Sequence, residues 1–333
     1  MKDPHDGLSL TDRREKLRSF VQIVKDIQAS ISKVIVGQEQ MVERILIGLF
    51  ADGHVLLEGA PGLAKTLTIR SLAASVDLRF QRIQFTPDLL PADLVGTEIY
   101  SPKEGKFSTR KGPIFTNILL ADEINRAPPK VQSALLEAMA EKQVTIGGQT
   151  YPLPEPFLVL ATQNPLEQEG TYPLPEAQAD RFMFKVLVEY PSQRDEKEIL
   201  LRSWAADSQK ITPVASIQDV LRCREALSFI KMEELIIDYI LNLVRTTRES
   251  TASGISLGKY IDFGASPRAS LSMMHAARAH AFVGGRAFVS PDDVKAIGAD
   301  VLRHRILLTY EAEAERITID WILRQLFQKI RTP

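Results

Sequence analysis

The sequence predicts an α/β fold in which a parallel five-stranded sheet lies between helices and is followed by an all-helical C-terminal domain. Short apolar runs alternate with helical patterns, which is typical of a parallel sheet with helices on its faces. After Tyr190-Pro191 the strand patterns stop and helical patterns continue. We therefore expect two domains, residues 1–191 and 192–333. The predicted strands are residues 54–58, 82–85, 118–122, 157–162 and 184–188.

Two helices are predicted before the first strand. Apolar residues recur at helical spacing from Leu17 to Ile31, which indicates an amphipathic helix. Val36-Gly37-Gln38 then forms a turn, and residues 41–50 give a second, largely apolar helix.

A glycine-rich turn follows the first strand and opens a helix at residues 67–76. Strand, turn and helix are the context of a P-loop, whose backbone amides and helix N-terminus face phosphate. Its lysine meets the β- and γ-phosphates, and its threonine ligates Mg²⁺. Ala64 stands where glycine is usual, and a left-handed alanine would cost about 1–2 kcal/mol. For this segment taken alone, a plain Gly-Pro turn is the alternative. The predicted nucleotide-binding residues here are Gly59, Ala60, Pro61, Gly62, Leu63, Ala64, Lys65, Thr66 and Leu67.

The third predicted strand ends in two acids, Asp122 and Glu123. An isolated buried carboxylate is very costly, so this pattern indicates a cation nearby. Asp122 suits Mg²⁺ coordination, partly through water and together with Thr66, while Glu123 suits the general base that polarises an attacking water. With the P-loop, the two acids predict a nucleoside triphosphatase that uses ATP and Mg²⁺.

Two segments interrupt the alternation of strands and helices. Residues 96–112 and residues 143–155 each have the pattern of a β-hairpin, the second around Gly147-Gly148. Tyr100, Phe107 and Ile146 are apolar residues on otherwise polar strands. We expect these side chains to be exposed and to contact a partner or a neighbouring subunit.

Helical patterns account for the rest of the chain. Ser266-Pro267-Arg268 starts one helix with a cation, where the helix dipole disfavours positive charge. A nearby anion would account for Arg268. The predicted helices are residues 194–205, 217–230, 233–249, 267–282, 291–304 and 311–330.

Composition narrows the class of protein. The net charge of −1 gives no overall basic field for nucleic acid. A single cysteine, Cys223, allows no internal disulfide and fits a reducing compartment. Residues 1–10 are polar, and the longest apolar run, residues 45–51, is too short to span a bilayer. We expect a cytoplasmic protein without membrane insertion.

Several strings together resemble the MoxR-type AAA+ ATPases, over roughly residue 31 to the C-terminus. The P-loop alone marks only P-loop nucleoside triphosphatases, whereas Asp-Glu-Ile-Asn-Arg-Ala-Pro-Pro is specific to this family. The strings are Gly-Ala-Pro-Gly-Leu-Ala-Lys-Thr, Leu-Ala-Asp-Glu-Ile-Asn-Arg-Ala-Pro-Pro-Lys, Ala-Thr-Gln-Asn-Pro, Asp-Arg-Phe-Met and Gly-Ala-Ser-Pro-Arg-Ala.

The resemblance implies further roles for individual residues. Asn164 matches the sensor-1 position that holds the attacking water, and Arg181 matches the arginine finger that reaches a neighbouring subunit's nucleotide. Arg268 matches sensor 2, which contacts the γ-phosphate, while Val36 and Gly37 match the stretch near adenine. Ordinary structural roles remain as alternatives: Asn164 as a turn residue, and Arg181 in a surface ion pair with Asp180.

The resemblance also implies the architecture. Residues 1–191 would form an AAA+ αβα nucleotide-binding domain with an N-terminal helix, and residues 192–333 a helical lid. The hairpins at about 96–112 and 143–155 match the helix-2 insert and the pre-sensor-1 hairpin. These inserts mark a clade that also contains magnesium-chelatase subunits and replicative helicases. The role of Arg126 stays open, with hydrogen bonding beside Glu123 as one interpretation.

Three functions remain in play. The first is a chaperone or remodelling ATPase, expected to act as a hexameric ring with a von Willebrand A domain protein and a protein client. The second is a nucleic-acid translocase, which is disfavoured because the cations at residues 103–111 are diluted by Glu98 and Glu104. The third is an ATP-dependent metal-chelatase motor.

Overall fold

The computed structural model describes residues 9–103, 105–165, 171–204, 210–249 and 257–333. Residues 1–8 of the polar N-terminus, Glu104 of the first hairpin and residue 205 of a predicted helix therefore lie outside the described residues. The strands of the described part are β1 (Val55–Glu58), β2 (Phe80–Gln84), β3 (Gly96–Ser101), β4 (Lys106–Lys111), β5 (Ile118–Asp122), β6 (Gln143–Ile146), β7 (Gln149–Pro152), β8 (Leu158–Gln163), β9 (Phe184–Leu187), β10 (Ile261–Phe263) and β11 (Leu307–Leu308).

Helices surround the sheet and form most of the C-terminal part. Two 3₁₀ turns, Ile124–Arg126 and Leu227–Phe229, add to them. The α-helices of the described residues are α1 (Leu10–Ser32), α2 (Glu39–Ala51), α3 (Lys65–Ser75), α4 (Pro91–Val95), α5 (Pro129–Glu141), α6 (Glu176–Ala179), α7 (Gln193–Trp204), α8 (Ile217–Ala226), α9 (Glu234–Thr246), α10 (Pro267–Val283), α11 (Pro291–Leu302), α12 (Tyr310–Ala314) and α13 (Ile319–Lys329).

The central sheet has five strands in the order β2-β5-β8-β1-β9, and every neighbouring pair runs parallel. The α/β fold with a parallel five-stranded sheet is thus confirmed, with each strand within two residues of its predicted bounds. Because the strands are parallel, their carboxyl ends meet at one edge of the sheet. The register that pairs Ala121 with Ala161 places Asp122 beside Thr162 at this edge.

The two hairpins lie at residues 96–111 and 143–152 as antiparallel ribbons, β3–β4 and β6–β7. They contact each other through the hydroxyl groups of Thr109 and Tyr151, 2.9 Å apart. The ammonium group of Lys111 lies 5.1 Å from the centroid of the Tyr151 ring, within cation–π range. The two ribbons therefore form one contiguous surface.

A single hydrophobic cluster joins the two halves of the chain. α1 and α2 pack on one face of the sheet, and the C-terminal helices continue the same cluster. It contains residues on both sides of residue 191, among them Leu17, Leu46, Cys223, Ile240 and Phe282. A second cluster covers the other face of the sheet beneath α4, α5 and the β6–β7 ribbon.

The C-terminal part is helical as predicted, with two differences. The prediction of one helix over residues 311–330 is wrong, because the chain breaks between α12 and α13. Arg316 there has a left-handed backbone (φ 56°), and the Thr318 hydroxyl caps α13 by accepting from the Trp321 amide. The part is also not entirely helical, since β10 and β11 pair as a short antiparallel ribbon.

In the described residues, every helix is too short or too polar to cross a membrane. The longest, α1, is an amphipathic surface helix that begins with a capping box between Ser9 and Asp12.

Candidate functional site

The turn between β1 and α3 has the backbone of an anion-binding loop. Gly62 and Ala64 both have positive φ, 86° and 56°, and α3 begins at Lys65. A left-handed alanine carries a strain of about 1–2 kcal/mol because its Cβ crowds the backbone. Ala64 therefore adopts the left-handed conformation whose cost the sequence predicts.

Lys65 lies over this loop. Its ammonium group donates to the carbonyl oxygens of Gly59 and Ala60, at 2.5 and 3.2 Å. Burial lowers the pKa of Lys65, while the negative charges of Asp122 and Glu123 act in the opposite direction. The lysine therefore places one positive charge between the loop and the two acids.

Asp122 is the centre of a hydrogen-bond network at the carboxyl edge of the sheet. Its Oδ1 accepts from the Thr162 hydroxyl at 2.6 Å, and its Oδ2 accepts from Nε and Nη2 of Arg82 at 2.9 and 2.7 Å. The Thr162 hydroxyl also accepts from the Glu123 amide at 2.8 Å. These bonds fix the orientation of the carboxylate.

Arg82 and Thr162 were missed by the sequence analysis. Arg82 was placed on a predicted strand, and Thr162 was the last residue of another, with no role assigned to either. One feature of the sequence could have indicated a site role for Thr162. Its hydroxyl ends an apolar strand just before Gln163-Asn164-Pro165.

Glu123 has a left-handed backbone (φ 57°), which is uncommon for a residue with a side chain. Its Oε2 accepts from Nη1 of Arg126 at 3.2 Å. Strained backbone conformations of this kind cluster at functional sites. Arg126 therefore contacts the glutamate side chain directly.

Lys65, Asp122 and Glu123 line one cleft of about 390 Å³ together with most of the loop. An ammonium group and a threonine hydroxyl at the loop, facing two carboxylates at the end of β5, are groups suited to a magnesium nucleotide. Asn164 is buried and lines the same cleft. The residues are Pro61, Gly62, Leu63, Ala64, Lys65, Thr66, Leu67, Arg82, Asp122, Glu123, Thr162, Gln163 and Asn164.

Gly37 lines a different cleft, of about 320 Å³, with residues of α1 and α2. Its φ is 67°, and a Cβ at this position would lie 3.2 Å from the Asp195 carboxyl group of α7. Gln38 Nε2 donates to the Glu189 carbonyl at 2.9 Å, which ties the turn to the segment before α7. Val36 and Gly37 therefore lie at the junction between the N-terminal helices and α7.

Arg181 and Arg268 meet in a third cleft, of about 490 Å³, rather than beside the P-loop. The structure therefore does not bring the predicted sensor-2 arginine to the nucleotide cleft of its own chain. Arg181 Nη1 donates to the Leu136 carbonyl of α5 at 2.7 Å. The carboxylate of Asp180 bonds instead to Arg305, at 2.6 Å.

The paired hairpins expose two of the three predicted apolar side chains. Tyr100 is 51% and Phe107 68% exposed, and their ring centroids lie 5.1 Å apart. The prediction that Ile146 is exposed is wrong, since it is only 4% exposed and packs into the second hydrophobic cluster. The ladder of β6 turns this residue toward the core because alternate side chains face opposite sides.

Comparison with known proteins decides the family. Residues 54–184 match the model of the ATPase family associated with various cellular activities (AAA), and residues 258–326 match the AAA lid domain. The protein named Chaperone MoxR1, from Mycobacterium tuberculosis, is 48% identical over 320 residues, which cover 96% of this chain and 85% of that protein. The chain belongs to the MoxR family of AAA+ ATPases.

Other family members agree in sequence and in fold. Protein MoxR from Methylorubrum extorquens is 30% identical over 349 residues, covering 99% of this chain and 98% of that protein. The crystal structure of a candidate ATPase from Cytophaga hutchinsonii has a TM-score of 0.89 and 48% identity, and it covers 96% of this chain and 97% of that one. The resemblance to MoxR-type ATPases is thus confirmed.

Proposed function

We propose that this chain hydrolyses ATP with Mg²⁺ and uses the reaction to remodel or assemble client proteins. The observation that carries the proposal is the convergence of Lys65, Thr66, Asp122 and Glu123 in one cleft. Membership of a family with a relative named as a chaperone supports the remodelling part.

Each residue of the cleft has a distinct task in this proposal. The loop amides and Lys65 hold the phosphates, and Thr66 and Asp122 hold Mg²⁺, which neutralises charge on the phosphate oxygens. Glu123 accepts the proton of the attacking water, and Asn164 orients that water. Arg82 balances the charge of Asp122 and orients this carboxylate.

The position of the two arginines supports an assembly in which subunits share sites. Arg181 and Arg268 share a cleft of their own, so they suit the nucleotide of a neighbouring copy better than that of their own chain. A guanidinium spreads positive charge over the γ-phosphate oxygens in the transition state. We propose a ring, with six subunits as the expected number, in which each copy supplies both arginines to the next.

The client and partner follow from the family resemblance. We propose a von Willebrand A domain protein as the partner, with the exposed pair Tyr100 and Phe107 as its contact surface. We also propose a cytoplasmic location, which the single cysteine fits, and a boundary between nucleotide-binding domain and lid near residue 191. Translocation of nucleic acid and metal chelation remain as the alternative outputs of the same ATPase.

Two substitutions separate nucleotide binding from hydrolysis. Lys65→Ala should abolish ATP binding, because it removes the charge that faces the phosphates. Glu123→Gln should keep ATP bound and reduce turnover by about 10²–10⁴-fold, because an amide is a poor proton acceptor. Binding of a fluorescent ATP analogue and release of phosphate measure the two effects. Glu137→Gln, on the exposed face of α5, is the matched control, and a wild-type rate in Glu123→Gln would refute the assignment of the base.

Sharing of sites is tested by mixing two inactive proteins. Arg181→Ala keeps an intact P-loop, and Lys65→Ala keeps intact arginines. A mixture of the two should regain ATPase activity, because an intact arginine then faces an intact P-loop at some interfaces. Full activity of the wild type as a monomer with bound ATP would contradict this assembly.

A further inference from the structure

Asp180 joins the loop that carries Arg181 to the helical lid. Its Oδ1 accepts from Nε of Arg305 at 2.6 Å, and its Oδ2 accepts from the Ser266 hydroxyl at 2.9 Å. Nη1 of Arg268 lies 3.9 Å from the same Oδ2. One carboxylate therefore contacts three residues of the segment that matches the AAA lid domain.

Arg305 anchors this connection in the interior. Its side chain is only 1% exposed, and it donates to the backbone carbonyls of Phe182 at 2.6 Å and Met183 at 3.2 Å. Its Nη2 also donates to the Asp180 carbonyl at 3.1 Å. A buried guanidinium needs a counter-charge, and breaking such a pair is strongly destabilising. The chain on both sides of Arg181 is thereby fixed to the segment that follows α11.

Ser266 and Arg268 hold the start of α10 to the same carboxylate. The Ser266 hydroxyl accepts from the Arg268 amide at 3.2 Å, so it caps α10 while it donates to Asp180. Arg268 is 59% exposed and its contact with Asp180 is long, which makes this pair weak. The guanidinium of Arg268 is thus oriented by Asp180 yet free to exchange that contact for a phosphate oxygen.

We propose that Asp180 is a positioning residue that sets the spacing of Arg181 and Arg268 and makes it depend on the position of the lid. The inference rests on the proposed function, in which both arginines act on a neighbouring subunit's nucleotide. Without the carboxylate, Arg268 and Ser266 lose their tie to the Arg181 loop. Misplacement of a catalytic group by about 1 Å can reduce rates by about 10²-fold.

The test measures each subunit's two tasks separately in mixed assemblies. The acceptor is Arg181→Ala, which supplies an intact P-loop but lacks Arg181. The donor is Lys65→Ala, which supplies only arginines, compared with the donor Lys65→Ala/Asp180→Asn. Asn at residue 180 keeps an acceptor for Arg305 but removes the charge. We expect at least tenfold less ATPase activity with the second donor. The matched control is the donor Lys65→Ala/Asp262→Asn, which should show no loss because Asp262 is an exposed carboxylate of the lid.

The reciprocal mixture shows whether the substitution damages the whole subunit. Asp180→Asn as acceptor, mixed with the Lys65→Ala donor, should be as active as Arg181→Ala in the same mixture, because its P-loop is intact. If Asp180→Asn loses activity in both tasks, Ser266→Ala replaces it, because this variant keeps the Asp180–Arg305 pair. Loss confined to the donor task then supports the proposal, and equal loss in both tasks overturns it.

Two other outcomes are decisive. Full activity with the Lys65→Ala/Asp180→Asn donor would show that the arginines need no help from the carboxylate. If the mixture of Arg181→Ala with Lys65→Ala regains no activity, the sharing of sites itself is wrong. That mixture contains no variant of Asp180, so this result is distinct from a failure of the inference about Asp180.

Discussion

At the scale of single residues, the P-loop cleft combines backbone strain with charges held close together. Ala64 and Glu123 both have left-handed backbones, and Lys65 and Arg82 balance the two acids. Such strain persists only when the surrounding structure over-determines it. Here the helix that starts at Lys65 and the bond from the Glu123 amide to Thr162 supply that restraint.

The strain in the loop can be measured by adding or removing a Cβ methyl group at the two left-handed positions of the loop. Gly62→Ala should lower the free energy of unfolding by about 1 kcal/mol, because a left-handed alanine costs about 1–2 kcal/mol and the lower entropy of the unfolded chain offsets about 0.4–1 kcal/mol of that cost. A Cβ at Gly62 meets no atom within 4 Å, so no steric clash adds to the strain. Ala64→Gly should raise the free energy of unfolding by a similar amount, because the relief of strain exceeds the added entropy of the unfolded chain. Urea unfolding without nucleotide measures both, and equal stability of Gly62→Ala and wild type would contradict the strain.

Sequence reasoning placed Lys65, Asp122 and Glu123 because each belongs to a short local motif. It could not place Arg82, because the contact with Asp122 depends on the register between β2 and β5. It also could not show where Arg268 lies, because that depends on how the lid packs against the sheet. Local motifs can be predicted from the sequence, whereas contacts between elements that are distant in the chain cannot.

At the scale of elements, His54 joins three of them at the amino end of the sheet. It lies just before β1, its Nδ1 accepts from the Val159 amide of β8 at 3.0 Å, and its Nε2 donates to the Met139 carbonyl of α5 at 3.3 Å. Burial lowers the pKa of His54 from 6.5 to about 4. The folded chain therefore keeps this imidazole neutral under mildly acidic conditions.

This histidine should make stability depend on pH. The pKa of His54 is lower in the folded than in the unfolded chain, so protonation of the unfolded chain lowers the free energy of unfolding. This loss is absent above pH 6.5 and grows as the pH falls toward 4. The slope is about 1.4 kcal/mol per pH unit in that window. His54→Gln should give a shallower fall in the free energy of unfolding between pH 7 and 5, while the buried His304 still contributes. Parallel curves for the two proteins would show that His54 titrates normally.

The strands and most helices were predictable because their apolar periodicity is strong. The break between α12 and α13 was not, since residues 315–318 contain no glycine or proline. A left-handed arginine gives no pattern in the sequence. The β10–β11 ribbon was missed because it joins two very short strands far apart in the chain.

At the scale of the whole molecule, the lid is bound to the nucleotide-binding part by more than a linker. The shared hydrophobic cluster runs across residue 191, and the buried Arg44 of α2 pairs with Asp300 of α11 at 2.7 Å. Arg303 Nη1 also donates to the Lys185 carbonyl of β9 at 2.8 Å. Shared burial of this kind favours a single cooperative unfolding transition.

The rate at which Cys223 reacts with a thiol reagent measures how often this shared core opens. Cys223 is the single cysteine of the chain, it is buried within the shared cluster, and burial raises its pKa to about 12. A thiol reagent reacts with thiolate, so it can label this chain only when the core opens. Under native conditions the labelling rate should equal the rate expected from global unfolding. ATP with Mg²⁺ at a hundred times its dissociation constant should slow labelling about 100-fold, because bound nucleotide stabilises the closed state. Fast labelling unaffected by urea or ATP would mean that α8 opens alone, whereas slow labelling that ATP slows further would mean that this one sulfur atom reports the unfolding of the whole shared core.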